Sequence, residues 1–82
     1  MTDALKAEVD RNYDYFQRNL AQFMTKHGGQ YALLKSSKAI GFYNGPGEAY
    51  RAGLVLYPNE IFSVQEVTDI PVDLGFMSLA FA

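Results

Sequence analysis

The chain has 82 residues, enough for one hydrophobic core, and a chain of this size buries only roughly 60–65% of the surface it exposes when unfolded. Apolar residues make up 49% of it and charged residues 20%, which excludes a disordered polyelectrolyte. A net charge of −2 argues against a phosphate-driven nucleic-acid binder, and the absence of cysteine removes disulfides, thiolate catalysis and thiolate metal sites.

The first ten residues read as the start of an amphipathic helix, so no secretory leader is expected and a reducing cytoplasm is the preferred compartment. The longest weakly charged apolar stretch, Ile70 to Ala82, is shorter than the ~20 residues a membrane helix needs and is interrupted by Pro71 and Asp73.

Leu5, Val9, Tyr13, Phe16, Leu20 and Phe23 recur at intervals of three and four, which predicts one long helix with an apolar face. Lys6, Glu8, Asp10, Arg11, Asn12, Asp14 and Arg18 lie between them and are assigned to its solvated side, with Asp14 four residues before Arg18 as a favourable pair. Asp3 is the expected N-cap. Lys26 and His27 suit the C-terminal dipole, and Gly28 supplies the left-handed residue that ends the helix. Gln30 to Lys35 and Lys38 to Tyr43 flank Ser36-Ser37 and predict a β-hairpin, with Ile40 and Phe42 on the face that meets the helix.

Asn44-Gly45-Pro46-Gly47 signals a turn and a helix start. Ala49, Tyr50, Gly53, Leu54 and Tyr57 follow helical spacing, although Leu54 to Tyr57 also has the composition of a strand. Glu60 to Val67 predicts a third strand that sets Phe62 and Val64 against Ser63 and Gln65. The expected fold is therefore α+β in the order α-β-β-α-β, with one domain over residues 1–67 and an apolar tail over 68–82.

Tyr13, Phe16 and Asn19-Leu20, then Gly29-Gln30-Tyr31-Ala32-Leu33, Gly41, Tyr50-Arg51-Ala52-Gly53 and Phe62-Ser63-Val64-Gln65-Glu66-Val67 together carry a resemblance. Over residues 12–68 the chain resembles a family of short prokaryotic proteins classed as a domain of unknown function. The resemblance implies an α-β-β-α-β domain and brings no activity, cofactor or catalytic residue with it.

An assembled catalytic set is missing from the sequence. His27 is the one histidine and reads as a helix-end residue, while Asp10/Asp14 and Asp69/Asp73 read as surface carboxylates. Ser36-Ser37 lacks a base, and Val72-Asp73-Leu74-Gly75 departs from an aspartic-protease loop at Leu74. Lys35, Lys38 and Arg51 with Tyr31, Tyr43 and Tyr50 form too small a basic-aromatic set for nucleic acid. The helix start at Gly45 to Glu48 is the alternative site, an anion or small-ligand cradle, but Pro46 removes one donor and no Lys-Ser/Thr pair follows.

All seven basic residues lie at or before Arg51, so the C-terminal third is acidic and apolar. Phe76, Met77, Leu79 and Phe81 would expose several hundred Å² of apolar surface if left in water, and this makes them the candidate interaction surface. Burial on the chain's own domain, a symmetric homodimer and capture by another protein through strand addition are the three outcomes expected for it. The expected function is thus a non-enzymatic protein–protein interaction or regulatory module with no cofactor, metal or membrane partner.

Overall fold

The computed structural model describes residues 2–69. Its elements run α1 (Thr2–Arg18), α2 (Leu20–His27), β1 (Tyr31–Leu34), β2 (Ala39–Tyr43), α3 (Pro46–Leu56) and β3 (Ser63–Glu66). They form an α+β domain around a three-stranded antiparallel sheet. The predicted order holds, except that the first helix is two.

The division falls at Asn19, whose φ of −113° and ψ of 12° leave the helical region. Its side-chain Nδ2 donates to the Tyr15 carbonyl at 2.9 Å, and its backbone N–H is shared between the Tyr15 and Phe16 carbonyls. Asparagine competes with the helix for local hydrogen bonds in this way, and apolar periodicity does not register the competition. The Phe23 N–H then bonds the Asn19 carbonyl at 3.0 Å, which restarts the helix. Two end assignments also change. Asp3 lies inside α1 and not at its cap, and the left-handed residue after α2 is Gly29, with φ 88°, while Gly28 has φ −54°.

The sheet order is β2-β1-β3, so β1 is the central strand. Ala32, Leu33 and Leu34 are buried because helices cover both faces of the sheet. Ala32 and Leu34 join Phe16 and Val67 in one core cluster, flanked by Tyr15, Leu20, Phe23, Met24, Ala39 and Phe42. Phe42 thus reaches the helical side as predicted. Ala39 comes with it because the register slips between Leu33 and Leu34, a β-bulge in which Ile40 is the extra residue.

Both outer strands run antiparallel to β1 and therefore parallel to each other. The chain passes from one to the other through α3, which packs across all three strands. Ala49 and Gly53, four residues apart, are the buried positions of α3. A Cβ on Gly53 would lie 2.4 Å from the Phe62 ring, so the missing side chain lets the helix settle onto that ring. The feature that weakens Gly53 as a helix former is what allows α3 to pack, and this settles Leu54 to Leu56 as helix.

Candidate functional site

At one end of the sheet the β1–β2 turn carries two consecutive non-glycine residues with positive φ, Ser36 at 52° and Ser37 at 62°. Lys35 and Lys38 exchange backbone hydrogen bonds of 2.9 and 3.1 Å around them, the pattern of a type I′ hairpin turn. Such a turn favours Asn-Gly, and left-handed serine costs about 1–2 kcal/mol per residue. The compensation comes from α1.

The Ser36 N–H donates to Glu8 Oε2 at 2.7 Å, and the Ser37 N–H donates to Asn12 Oδ1 at 2.8 Å. Asn12 Nδ2 in turn faces Glu8 Oε2 at 3.2 Å, Ser63 Oγ at 3.0 Å and the Leu34 carbonyl at 3.4 Å. Arg11 Nη2 reaches Glu8 Oε1 at 3.3 Å from the solvent side. Glu8, Asn12 and Ser63 are all buried, and among the described residues no buried side-chain nitrogen or oxygen lacks a partner. Glu8 and Asn12 were assigned to the solvated side of the helix. They face inward instead, in line with Phe16 at four-residue steps, while Tyr13 from the apolar stripe is 50% exposed. α1 thus supplies acceptors to two turn N–H groups, that of the exposed Ser36 and that of the half-buried Ser37.

Lys35 belongs to the same end. Its Nζ donates to the Ile61 carbonyl at 2.8 Å, meets Glu60 Oε1 at 3.2 Å and lies 5.4 Å from the centre of the Tyr57 ring. Lys35 therefore binds the loop between α3 and β3 to the hairpin.

At the other end His27 stacks on Phe42 with ring centres 3.7 Å apart and planes 3° from parallel. Gln30 Nε2 donates to Asn44 Oδ1, so Gln30 Oε1 is the acceptor and His27 Nδ1 carries the donating proton at 2.8 Å. Asp10 and Asp14 pair with Lys6 and Arg18 on the surface of α1. No group of three metal-ligating side chains occurs among the described residues. No helix among them is long and apolar enough to cross a membrane.

The start of α3 has Gly45 in extended conformation as N-cap and Pro46 in the first turn, with no side-chain cap bond. Glu48 places a carboxylate in that turn, where an incoming anion would meet it. Further along α3, four apolar side chains face water: Val55 is 79% exposed, Leu56 53%, Leu54 38% and Tyr50 37%. Tyr50 and Leu54 form one flank of the helix, Arg51 and Val55 its crest, and Leu56 its C-terminal end. Of the residues that follow helical spacing here, Ala49 and Gly53 are buried and Tyr50 and Leu54 are exposed. The signal for exposure was the run Leu54-Val55-Leu56, since three consecutive residues cannot all face one side of a helix.

Phe76, Met77, Leu79 and Phe81 lie outside the described residues. Within those residues the fold defines a small α+β domain whose buried polar groups hold backbone and whose exposed large apolar groups, Tyr13 on α1 apart, gather on α3. No family model, curated protein or solved structure matches the chain.

Proposed function

We propose that the protein is a non-enzymatic interaction module that binds a protein segment on the outer side of α3. The observation that carries this reading is the exposure of Tyr50, Leu54, Val55 and Leu56 on one helix of so small a domain. Arg51, exposed on the same crest, selects the chemistry of the segment: apolar, with a carboxylate at one end. The buried polar groups support the reading from the other direction, because Glu8, Asn12 and Ser63 are each engaged with one another or with backbone.

Val55→Asp tests it, since Val55 is the most exposed of the four and its change leaves the core intact. A partner isolated from host extract, purified and titrated calorimetrically against the full chain should bind wild type and lose at least about tenfold in affinity for Val55→Asp. Equal affinity for the two proteins overturns the reading.

A further inference from the structure

Asn44 and Gly45 join β2 to α3, with Asn44 exposed and Gly45 the extended residue that caps the helix. We propose that this joint is a site of spontaneous covalent rearrangement. The Gly45 nitrogen displaces ammonia from the Asn44 side chain, and water reopens the resulting ring as aspartate or its β-linked isomer.

The joint supplies a free nucleophile, a free leaving group and a donor for the oxygen on which charge develops. Gly45 has φ −141° and ψ 155°, and a Cβ built on it would meet nothing within 4 Å, so it lies in open space with no side chain of its own to shield its nitrogen. Among the described residues no hydrogen bond takes the Gly45 N–H. Asn44 engages only its side-chain oxygen: Oδ1 accepts from Gln30 Nε2 at 3.1 Å, while Nδ2 donates to no described residue. Gln30 Nε2 therefore faces the atom that turns negative when Cγ is attacked, which is the placement of an oxyanion donor. His27 Nδ1 steadies Gln30 through Oε1 at 2.8 Å, and the stack on Phe42 steadies His27.

The reaction balances with water as its only co-reactant. The Gly45 nitrogen gives its proton to solvent and bonds to Asn44 Cγ. The Cγ–Nδ2 bond then breaks, and Nδ2 leaves as ammonia with a proton taken from water. Water adds to one carbonyl of the cyclic imide that remains. Cleavage between the nitrogen and Cγ leaves aspartate in the original chain. Cleavage between the nitrogen and the main-chain carbonyl carbon leaves the chain running through Cγ. Nothing is oxidised or reduced.

The other asparagines lack this combination. Asn12 is buried inside α1, with its Nδ2 facing Glu8, Ser63 and the Leu34 carbonyl. Asn19 holds its Nδ2 on the Tyr15 carbonyl at 2.9 Å and precedes the bulky Leu20. Asn59 is exposed, but the N–H that follows it, that of Glu60, donates to the Tyr57 carbonyl at 3.2 Å.

Both products place a negative charge just ahead of the α3 N-terminus, where the helix dipole favours it. The β-linked product also lengthens the backbone between β2 and α3 by one carbon. α3 has little room to absorb the change, because Gly53 fits the Phe62 ring with no space for a Cβ. The rearrangement thus marks the age of the molecule and loosens α3 from the sheet.

The test ages the full chain in mildly alkaline buffer, follows each asparagine peptide by mass spectrometry and detects the β-linked form with isoaspartyl methyltransferase. The Asn44 peptide should gain the mass difference between an amide and an acid at least as fast in the folded chain as in urea, while the Asn12, Asn19 and Asn59 peptides stay unchanged. Gly45→Ala, which the open space accommodates, should abolish the gain over the same period. Gln30→Met keeps the side-chain length and removes the donor; it should slow the folded chain about threefold or more and leave the rate in urea unaltered. An unmodified Asn44, or a folded chain slower than the unfolded one, overturns the proposal, and a wild-type rate in Gln30→Met overturns the part given to Gln30. Aged protein carrying the β-linked form should show shifted amide signals over residues 46–53. Asn44→Asp, which has the charge without the extra carbon, should leave the Ala49 and Gly53 signals in place. Identical spectra for the two overturn the effect on α3.

Discussion

The carboxylate of Glu8 accepts the N–H of Ser36 at 2.7 Å, from a residue twenty-eight positions further along the chain. This bond, with its neighbour from Ser37 to Asn12, holds a left-handed turn that serine does not favour. Glu8→Ala leaves a turn N–H and part of the Asn12 amide without acceptors. It should cost about 2–3 kcal/mol, read as a fall in the urea midpoint at unchanged slope. An unshifted midpoint would show that water replaces the carboxylate at no cost.

Relief of the turn should show the same relationship in the other direction. Ser36→Asn with Ser37→Gly installs the residues that a type I′ turn prefers and should raise stability by about 1 kcal/mol. In that background Glu8→Ala should cost less than in wild type, because less strain needs holding. Equal costs in the two backgrounds, measured as a double-mutant cycle, would mean that clamp and strain are independent.

Gly53→Ala is a helix-favouring change that should destabilise this protein. Alanine gains about 1 kcal/mol of helix propensity, yet its Cβ falls 2.4 Å from the Phe62 ring. A net loss of about 1–3 kcal/mol in chemical unfolding is expected, with partial recovery when Phe62→Leu is added. A stabilised Gly53→Ala protein would mean that α3 slides to make room.

Asp14→Asn should do almost nothing. The Asp14–Arg18 pair is 3.0 Å long but 62% and 75% exposed, and solvent screens such pairs to within about 0.5 kcal/mol. The same measurement on Asn12→Ala should give about 3 kcal/mol or more, since Asn12 is fully buried and joins α1 to the hairpin and to β3. Similar effects for the two substitutions would contradict the burial difference.

Much of this fold was legible in the sequence because it depends on local pattern. The spacing of Leu5 to Phe23, the turn at Ser36-Ser37 and the Asn44 to Gly47 break placed the helices and the hairpin, and the alternation in β3 put Phe62 and Ser63 on opposite faces. Glu8 and Asn12 were misplaced because charge and polarity normally mark a wet helix face. Their burial is decided by a turn more than twenty residues away. The clue was present, in a two-residue hairpin turn without glycine, and it becomes readable once one asks which groups bond the turn N–H donors. On α3 the helical spacing holds, and within the set that carries it the small Ala49 and Gly53 pack while Tyr50 and Leu54 face water.

The central position of β1 also bears on how the domain is made. A chain emerging from the ribosome can close the β1–β2 hairpin early, but one side of β1 stays open until Ser63 to Glu66 arrives some thirty residues later. Until then Asn12 has no Ser63 to meet, and Gly53 has no Phe62 to pack upon. Resistance to proteolysis should therefore appear late in synthesis and abruptly, when the third strand docks.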